Sequence, residues 1–313
     1  MRSDILVSVG VIDEHGPRRG IPRLAEVIAK LSLAFEYFEV LYVMEEQYRC
    51  ELDAMAEQIS GLTNLRIILT TEGTHYYHRR LVTAREAIGD VVALYDPDEI
   101  SVEELTRKLG ESKDRNEILA GWFSVPAPTA WTYRLLAFSS HYIITAQAAR
   151  TLIIPREWLN TLLVRRSAVL DLRFQARVSL TRYCHFDIPK KQTKGSNLSG
   201  RYELLREVML CDAPRYLKGY AFMGFLVVLG TMAYIAYAIA IVLLRPHVQE
   251  GWFSNAVVEA ASTAFIATGM SLIALALVTV LDVLQGTSDR IVVAELSNIS
   301  FFDKVGCRNV EVG

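Results

Sequence analysis

Cysteine is scarce: four in 313 residues, Cys50, Cys184, Cys211 and Cys307, with no close pair. That argues against a disulfide scaffold and a CxxC-type zinc site, and it suits a reducing compartment. Glycine-rich phosphate motifs are missing too. No GxGxxG follows the first apolar stretch and no GxxxxGK[ST] occurs anywhere, so the ordinary dinucleotide and P-loop readings lose their footing. The first 20 residues carry Asp4, Asp13, Glu14 and His15 and lack a long apolar core, so no signal peptide is expected. Charge is absent from two long stretches, 219–244 and 260–281, of 26 and 22 residues.

What is present is apolar. The chain is 51% hydrophobic and 22% charged, with mean hydropathy +0.23, high for a soluble domain and far from the composition of disorder. At about 1.5 Å rise per residue, each uncharged stretch can cross a hydrocarbon core of about 30 Å. The alternative, a helical hairpin buried in a soluble protein, would have to cover both runs side by side. Pro246 ends the first stretch, and Trp252 and Phe253 are candidate interfacial anchors. Net charge is −6 over residues 1–155, +7 over 156–218 and −3 over 219–313. Lys190, Lys191, Lys194, Arg201, Arg206, Arg215 and Lys218 precede the first span, whereas the connector has one Arg. The positive-inside rule then puts the N-terminal domain and the C-terminal tail in the cytoplasm, and the protein in a plasma or inner membrane. The expected organisation is an α/β domain over 1–155, a basic juxtamembrane segment with an interfacial amphipathic helix over 156–218, two spans within 219–285, and a tail over 286–313.

Residues 5–12 form an apolar run typical of a strand buried on both faces. Leu24, Val27, Ile28, Leu31, Phe35 and Phe38 keep helical spacing after Pro22. Strands are expected at 38–44, 65–70 and 91–95, and helices at 52–59, 79–88 and 103–109, with Gly89 capping the second of these; a fifth strand is expected within 116–123. Alternation at this spacing implies βαβ units: a mixed, mainly parallel Rossmann-like sheet with helices on both faces, followed by the transmembrane hairpin.

Ligands of such sheets sit beyond the carboxyl ends of the strands. Asp13 and Glu14, Glu45 and Glu46, Thr70 to Glu72, and Asp96 and Asp98 fall there. Acids after several parallel strands suit a hydrated Mg²⁺ or Mn²⁺ shared with substrate phosphates. The competing reading is that they cap the following helices. Asp96-Pro97-Asp98 differs, because two carboxylates one residue apart around a fixed bend can serve one ion.

Residues 5–14, ILVSVGVIDE, and 38–45, FEVLYVME, resemble the first two strand elements of family 2 glycosyltransferases. Residues 85–98, REAIGDVVALYDPD, resemble that family's Ala-x-Gly-Asp, strand and Asp-x-Asp succession. Residues 188–200, IPKKQTKGSNLSG, followed by two spans, are similar to the polyprenyl-phosphate branch, which includes dolichyl-phosphate mannose synthases and bactoprenol glucosyltransferases. The departures are Gly10-Val11-Ile12-Asp13 for Pro-x-x-Asn, Glu45-Glu46 for an Asp pair, and Ile100 where a metal-assisting Gln is usual. The resemblance implies a glycosyltransferase-A-like fold and transfer of a sugar from a nucleotide-sugar donor to polyprenyl phosphate for cell-envelope glycan assembly. It implies Asp98 as metal ligand with Asp96 beside it, both in the catalytic site, and Asp13, Glu14 and Glu45 toward the donor.

Arg165, Arg166, Lys190 and Lys191 head a dense basic set that can gather the acceptor phosphate or anionic lipid. The same block can serve only topology and lipid contact. No RNA-binding motif accompanies it, so nucleic acid is not an expected partner. His75 and His78, with Tyr76 and Tyr77 between them, read as a surface loop rather than a metal pair. Two other readings stay open: a catalytically degenerate relative acting as scaffold or as partner in a glycan assembly or homo-oligomer, and a membrane module that binds anionic lipid.

Overall fold

A computed structural model describes residues 1–14, 16–123, 142–143, 149–165, 167–176, 182–188, 198–244, 251–285 and 291–298. The chain divides into two compact units, 1–200 with 290–313, and 201–289.

The first unit is built on an eight-stranded sheet in the order β7-β5-β6-β4-β1-β2-β3-β8. Its centre comprises β1 (Arg2–Ile12), β2 (Phe35–Glu45), β3 (Leu65–Thr70) and β4 (Val91–Tyr95). These pair in parallel, β3 on β2, β2 on β1 and β1 on β4. On the β4 side, β6 (Leu152–Pro155) runs antiparallel to β4 and to β5 (Ile118–Phe123), and β7 (Tyr183–Ile188) lies parallel to β5. β8 (Val292–Asn298) closes the other edge, antiparallel to β3. All residues of β3 and β4 are buried, as expected for strands covered on both faces.

One face is covered by α1 (Pro17–Ala34) and α5 (Val102–Arg115), whose Leu24, Val27, Leu31, Leu105 and Leu109 pack on Val7, Val9, Val40 and Tyr42. The other carries α4 (Tyr76–Glu86), α6 (Arg156–Leu163) and α7 (Ala168–Asp171), with Leu81, Val82, Leu159 and Leu162 against Leu41, Val43, Val92 and Leu94. Each fully buried aliphatic side chain of this kind contributes about 1.5–3 kcal/mol. Between β2 and β3 the chain makes two short helices, α2 (Arg49–Asp53) and α3 (Ala56–Ser60), where the sequence reads as one.

Two sequence expectations are corrected here. Phe35 and Phe38 leave the α1 face and join β2, because the helix stops at Ala34 and the β-prone run that follows pairs with β1 from Arg2↔Phe35 onward. Gly89 is not the cap of α4: Ala87, in extended conformation, ends that helix. Gly89 is instead required by close approach, since a Cβ there would lie 2.6 Å from the Ser8 backbone nitrogen. Gly10 has a similar role under α4, where an added Cβ would meet the Thr83 methyl at 2.1 Å.

A buried charge network links four strands or their ends. Glu39 on β2 is fully buried and accepts from the Ser8 hydroxyl, the Ile88 N–H at 2.7 Å and Arg66 Nη1 at 3.1 Å. Arg66 Nε donates to Glu295 of β8 at 2.8 Å.

In the second unit, α8 (Leu198–Leu244) runs unbroken through Pro214. α9 is Trp252–Gln285. The stretches Tyr216–Leu244 and Trp252–Val280 are 29 residues each, with mean hydropathies of 2.4 and 2.1, and few of their residues are buried, Ala238 in the first and Ala256, Ala260, Ala274 and Val278 in the second. By length and composition both can cross a bilayer. Of the small residues noted in the spans, Gly224 makes the contact: Ser271 Oγ would lie 1.9 Å from a Cβ at that position. Gly230 and Gly269 face open space. A cavity of about 280 Å³ is lined by Val227, Thr231, Tyr234, Glu259 and Thr263.

Candidate functional site

The chain moves from β1 to β2 and β3 on one side of β1, then crosses back to β4 on the other. β1 and β4 are therefore neighbours, their loops lead to α1 and α5 on one face, and the crevice in which such sheets hold ligands is expected at their carboxyl ends. Glu14 follows β1 and Asp96 follows β4.

The structure joins these acids through a residue the sequence reading passed over. Arg150, in the segment before β6, places Nη1 at 2.8 Å from Glu14 Oε2 and 3.4 Å from Asp96 Oδ2. Its Nη2 donates to Glu14 Oε1 at 3.3 Å. Its guanidinium lies 4.6 Å from the Tyr76 ring centre. Glu99 anchors the backbone of the same segment, accepting from the Arg150 N–H at 2.8 and 3.0 Å and the Thr151 N–H at 2.6 Å. Burial holds the Glu99 carboxyl above its ordinary value, against the lowering effect of these N–H donors.

Asp96 Oδ1 accepts the Asp98 N–H at 2.9 Å, a turn built by the intervening Pro97. The Asp98 carboxylate is 54% exposed and lies 3.5 Å from Arg23 on α1. The two acids of the Asp-x-Asp element thus meet different arginines.

A second pair of expected acids gathers around Arg79 of α4. Arg79 Nη1 donates to the Asp13 carbonyl at 2.6 Å, and Nη2 lies 3.5 Å from Glu45. Glu45 also accepts from Gln47 at 3.1 Å and from the Gly73 N–H at 3.4 Å. Asp13 is buried, and its charge adds to burial in raising the pKa of the Tyr42 phenol. Glu46 lies apart, 3.7 Å from Arg49.

Tyr76 to His78 belong to the first turn of α4, with His75 as its N-cap, rather than to a surface loop. Their helical placement puts Tyr76 and Arg80 one turn apart on one face. Arg80 is 1% exposed, and its Nε and Nη1 have no hydrogen-bond partner among the described residues. Burial lowers its pKa. Arg173 stacks on Tyr77 at 3.8 Å. Arg79, Arg80, Glu99 and Arg150 were not singled out from sequence, whereas Arg173 belongs to the basic set expected to gather phosphate. The readable signal was the run His75-Tyr-Tyr-His-Arg-Arg80, basic and aromatic at the start of a helix that follows a buried strand.

Arg165 lies 3.9 Å from Asp171. Arg166, Lys190 and Lys191 fall outside the described residues. Among the described residues no three His, Cys, Asp or Glu side chains converge on a metal position. Glu14 and Asp96 are engaged by one guanidinium and Asp98 by another, so this arrangement does not fit a divalent ion as it stands.

No family model and no curated protein matches the chain. Among solved structures, the glucosyl-3-phosphoglycerate synthase of M. tuberculosis is 13% identical, with a TM-score of 0.44 over 66% of this chain and 79% of that one. A mannosyltransferase from Pyrobaculum calidifontis, solved with GDP-Man and Mn²⁺, is 16% identical, with a TM-score of 0.34 over 90% of this chain and 79% of that one. S. aureus TarS (residues 1–349) with UDP-GlcNAc is 14% identical, with a TM-score of 0.40 over 66% of each chain.

Proposed function

We propose that this chain is a membrane-anchored transferase that moves a sugar from a nucleotide-sugar donor to polyprenyl phosphate, for cell-envelope glycan assembly. The observation that supports the reading is the bridge at the carboxyl ends of β1 and β4, where Arg150 joins Asp96 of the Asp-x-Asp element to Glu14. The family resemblance of residues 5–14 and 85–98 supports the same reading, since these segments run through the neighbouring strands β1 and β4.

In this reading Asp13, Glu14, Glu45, Asp96 and Asp98 shape the donor site. Arg165, Arg166, Lys190 and Lys191 gather the acceptor phosphate, and the two apolar helices hold the domain at the cytoplasmic face of a plasma or inner membrane. A phosphate monoester has a second pKa near 6 and is largely dianionic at neutral pH, so the acceptor needs little general-base help. One of its oxygens attacks the anomeric carbon. The bond from that carbon to the donor diphosphate breaks, and the nucleoside diphosphate leaves with the electron pair. The main demand is to neutralise that leaving group. The family resemblance implies a Mg²⁺ or Mn²⁺ ion that would neutralise charge on the same leaving group.

The test is transfer of labelled sugar from UDP- or GDP-sugars into a lipid-extractable product by membranes containing the full chain. Product formation that depends on added polyprenyl phosphate supports the reading. No product with any donor, together with no nucleotide binding, overturns it. A second reading, a catalytically silent scaffold, is favoured by the pairing of the expected catalytic acids with arginines; its signature is nucleotide binding without turnover.

A further inference from the structure

We propose that Arg150, backed by the buried Arg80, stands where a divalent cation would be required, so that a diphosphate binds at this crevice without a metal ion. The inference rests on the transferase reading only for what the diphosphate is attached to.

The argument begins with the acids. A carboxylate pair at two neighbouring strand ends holds a cation, and here the cation belongs to the chain. Arg150 is forked onto Glu14 at 2.8 and 3.3 Å and reaches Asp96 at 3.4 Å. A metal ion at the same acids would have to displace that guanidinium or sit beside it. Displacement is opposed by the clamp of Glu99 on the Arg150 and Thr151 N–H groups and by the Tyr76 ring beneath the guanidinium. Arginine also matches phosphate oxygens in a planar two-point geometry that an ammonium cannot reproduce.

The second observation is Arg80. A guanidinium that is 1% exposed, with Nε and Nη1 lacking hydrogen-bond partners among the described residues, is an expensive arrangement. The charged groups acting on it are Arg150 and Glu99, with Tyr76 and Tyr77 beside them. Arg173, on the Tyr77 ring, likewise has a buried Nε without a hydrogen-bond partner among the described residues. Arg80 and Arg173, which hold unspent donors near two tyrosines, have the chemistry of a receptor for a multiply charged oxyanion. When the anomeric C–O bond breaks, the extra charge on the departing diphosphate falls on these fixed cations and no proton need move.

The test uses the full chain in detergent, stripped with EDTA, and measures binding of inorganic pyrophosphate, UDP and GDP by calorimetry, with and without Mn²⁺. Pyrophosphate and at least one nucleotide are expected to bind in EDTA, with affinity changing less than about threefold when Mn²⁺ is added. Arg150→Ala should weaken both about 10- to 100-fold, the loss of one charge-assisted fork. Arg150→Lys, which keeps the charge without the fork, should fall between, and it decides the matter if circular dichroism shows that Arg150→Ala does not fold. With Glu14 and Asp96 released, Arg150→Ala should become more Mn²⁺-responsive than the wild type. Nucleotide binding that requires Mn²⁺ in the wild type overturns the proposal and leaves the transferase reading standing. Pyrophosphate binding in EDTA with no added affinity for UDP or GDP does the reverse. No pyrophosphate binding, or binding indifferent to both Arg150 substitutions, overturns the proposal outright.

Discussion

Replacing Glu99 with Ala should release the segment that carries Arg150 while leaving the rest of the sheet intact. The Glu99 carboxylate accepts two backbone N–H groups, from Arg150 at 2.8 Å and Thr151 at 2.6 Å. A hydrogen bond to a charged acceptor contributes about 1.5–3 kcal/mol, so the gross loss is about 3–6 kcal/mol. Part of that is offset, because burial disfavours the Glu99 charge and holds its pKa up. A net loss of about 2 kcal/mol remains, equivalent to about a 30-fold change in a local opening equilibrium. Hydrogen exchange of the full chain, read on a peptide spanning residues 149–155, should show the Arg150 and Thr151 amides exchanging about 30-fold faster. Amides of β1 and β2 should keep their wild-type rates. Unchanged exchange at 150 and 151 would refute the clamp, and uniform acceleration across the sheet would make Glu99 a general support rather than a local one. The pH dependence has a definite sign. The folded pKa lies above the ordinary 4.5, so protonation favours the folded state. The stability of the wild type relative to Glu99→Gln should therefore decline as pH rises from the ordinary value through the raised one.

Glu39→Ala removes the buried carboxylate that pairs with Arg66 and accepts from the Ser8 hydroxyl and the Ile88 N–H; a loss of about 3–5 kcal/mol is expected in denaturant unfolding. Glu295→Ala, at a carboxylate 38% exposed, should cost about 1 kcal/mol or less, and equal losses would contradict the burial argument. A cysteine at Ser254 in the connector region should react only from outside intact cells and one at the exposed Lys113 only from inside; reversed labelling would remove access to a cytoplasmic donor. Arg165→Ala with Arg166→Ala should weaken binding to anionic vesicles in a salt-sensitive manner, by about 1 kcal/mol for each cation near the surface, while unchanged binding would reduce them to ordinary surface charge.

The parallel centre of the sheet was legible because its strands are short, wholly buried apolar runs. β3 and β4 fall where the pattern puts them, at Leu65–Thr70 and Val91–Tyr95. β1 starts earlier, at Arg2, because its first turn of chain is polar and still pairs with Phe35. β8 left no readable trace. Its residues are mostly exposed, and what fixes it is pairing with β3 and the ion pair from Arg66, 229 residues away in sequence. Pro214 signals a break in local terms, yet α8 continues through it, so the local preference yields to the helix on either side. The acids of the crevice were legible as acids at strand ends. Their partner was not, since Arg150 is 136 residues from Glu14 and sits in no motif.

That last case shows why strand-end carboxylates underdetermine chemistry. Acids at the mouth of a parallel sheet say that a positive charge belongs between them, and a metal ion, a helix N-terminus or an arginine meets the requirement equally well by charge alone. Geometry separates the three. A divalent ion needs several oxygens converging at about 2–2.5 Å, whereas a guanidinium needs oxygens in its plane at hydrogen-bond distance. Glu14 presents both oxygens to the two terminal nitrogens of Arg150, and Asp96 reaches one of them from the side. Asp98, which the resemblance makes the metal ligand, lies beside Arg23 instead. With Arg80 buried behind, the site carries its positive charge in covalently attached form, held in place before any substrate arrives. Such preorganised charge is what stabilises a leaving diphosphate without reorganisation at the moment of bond breaking.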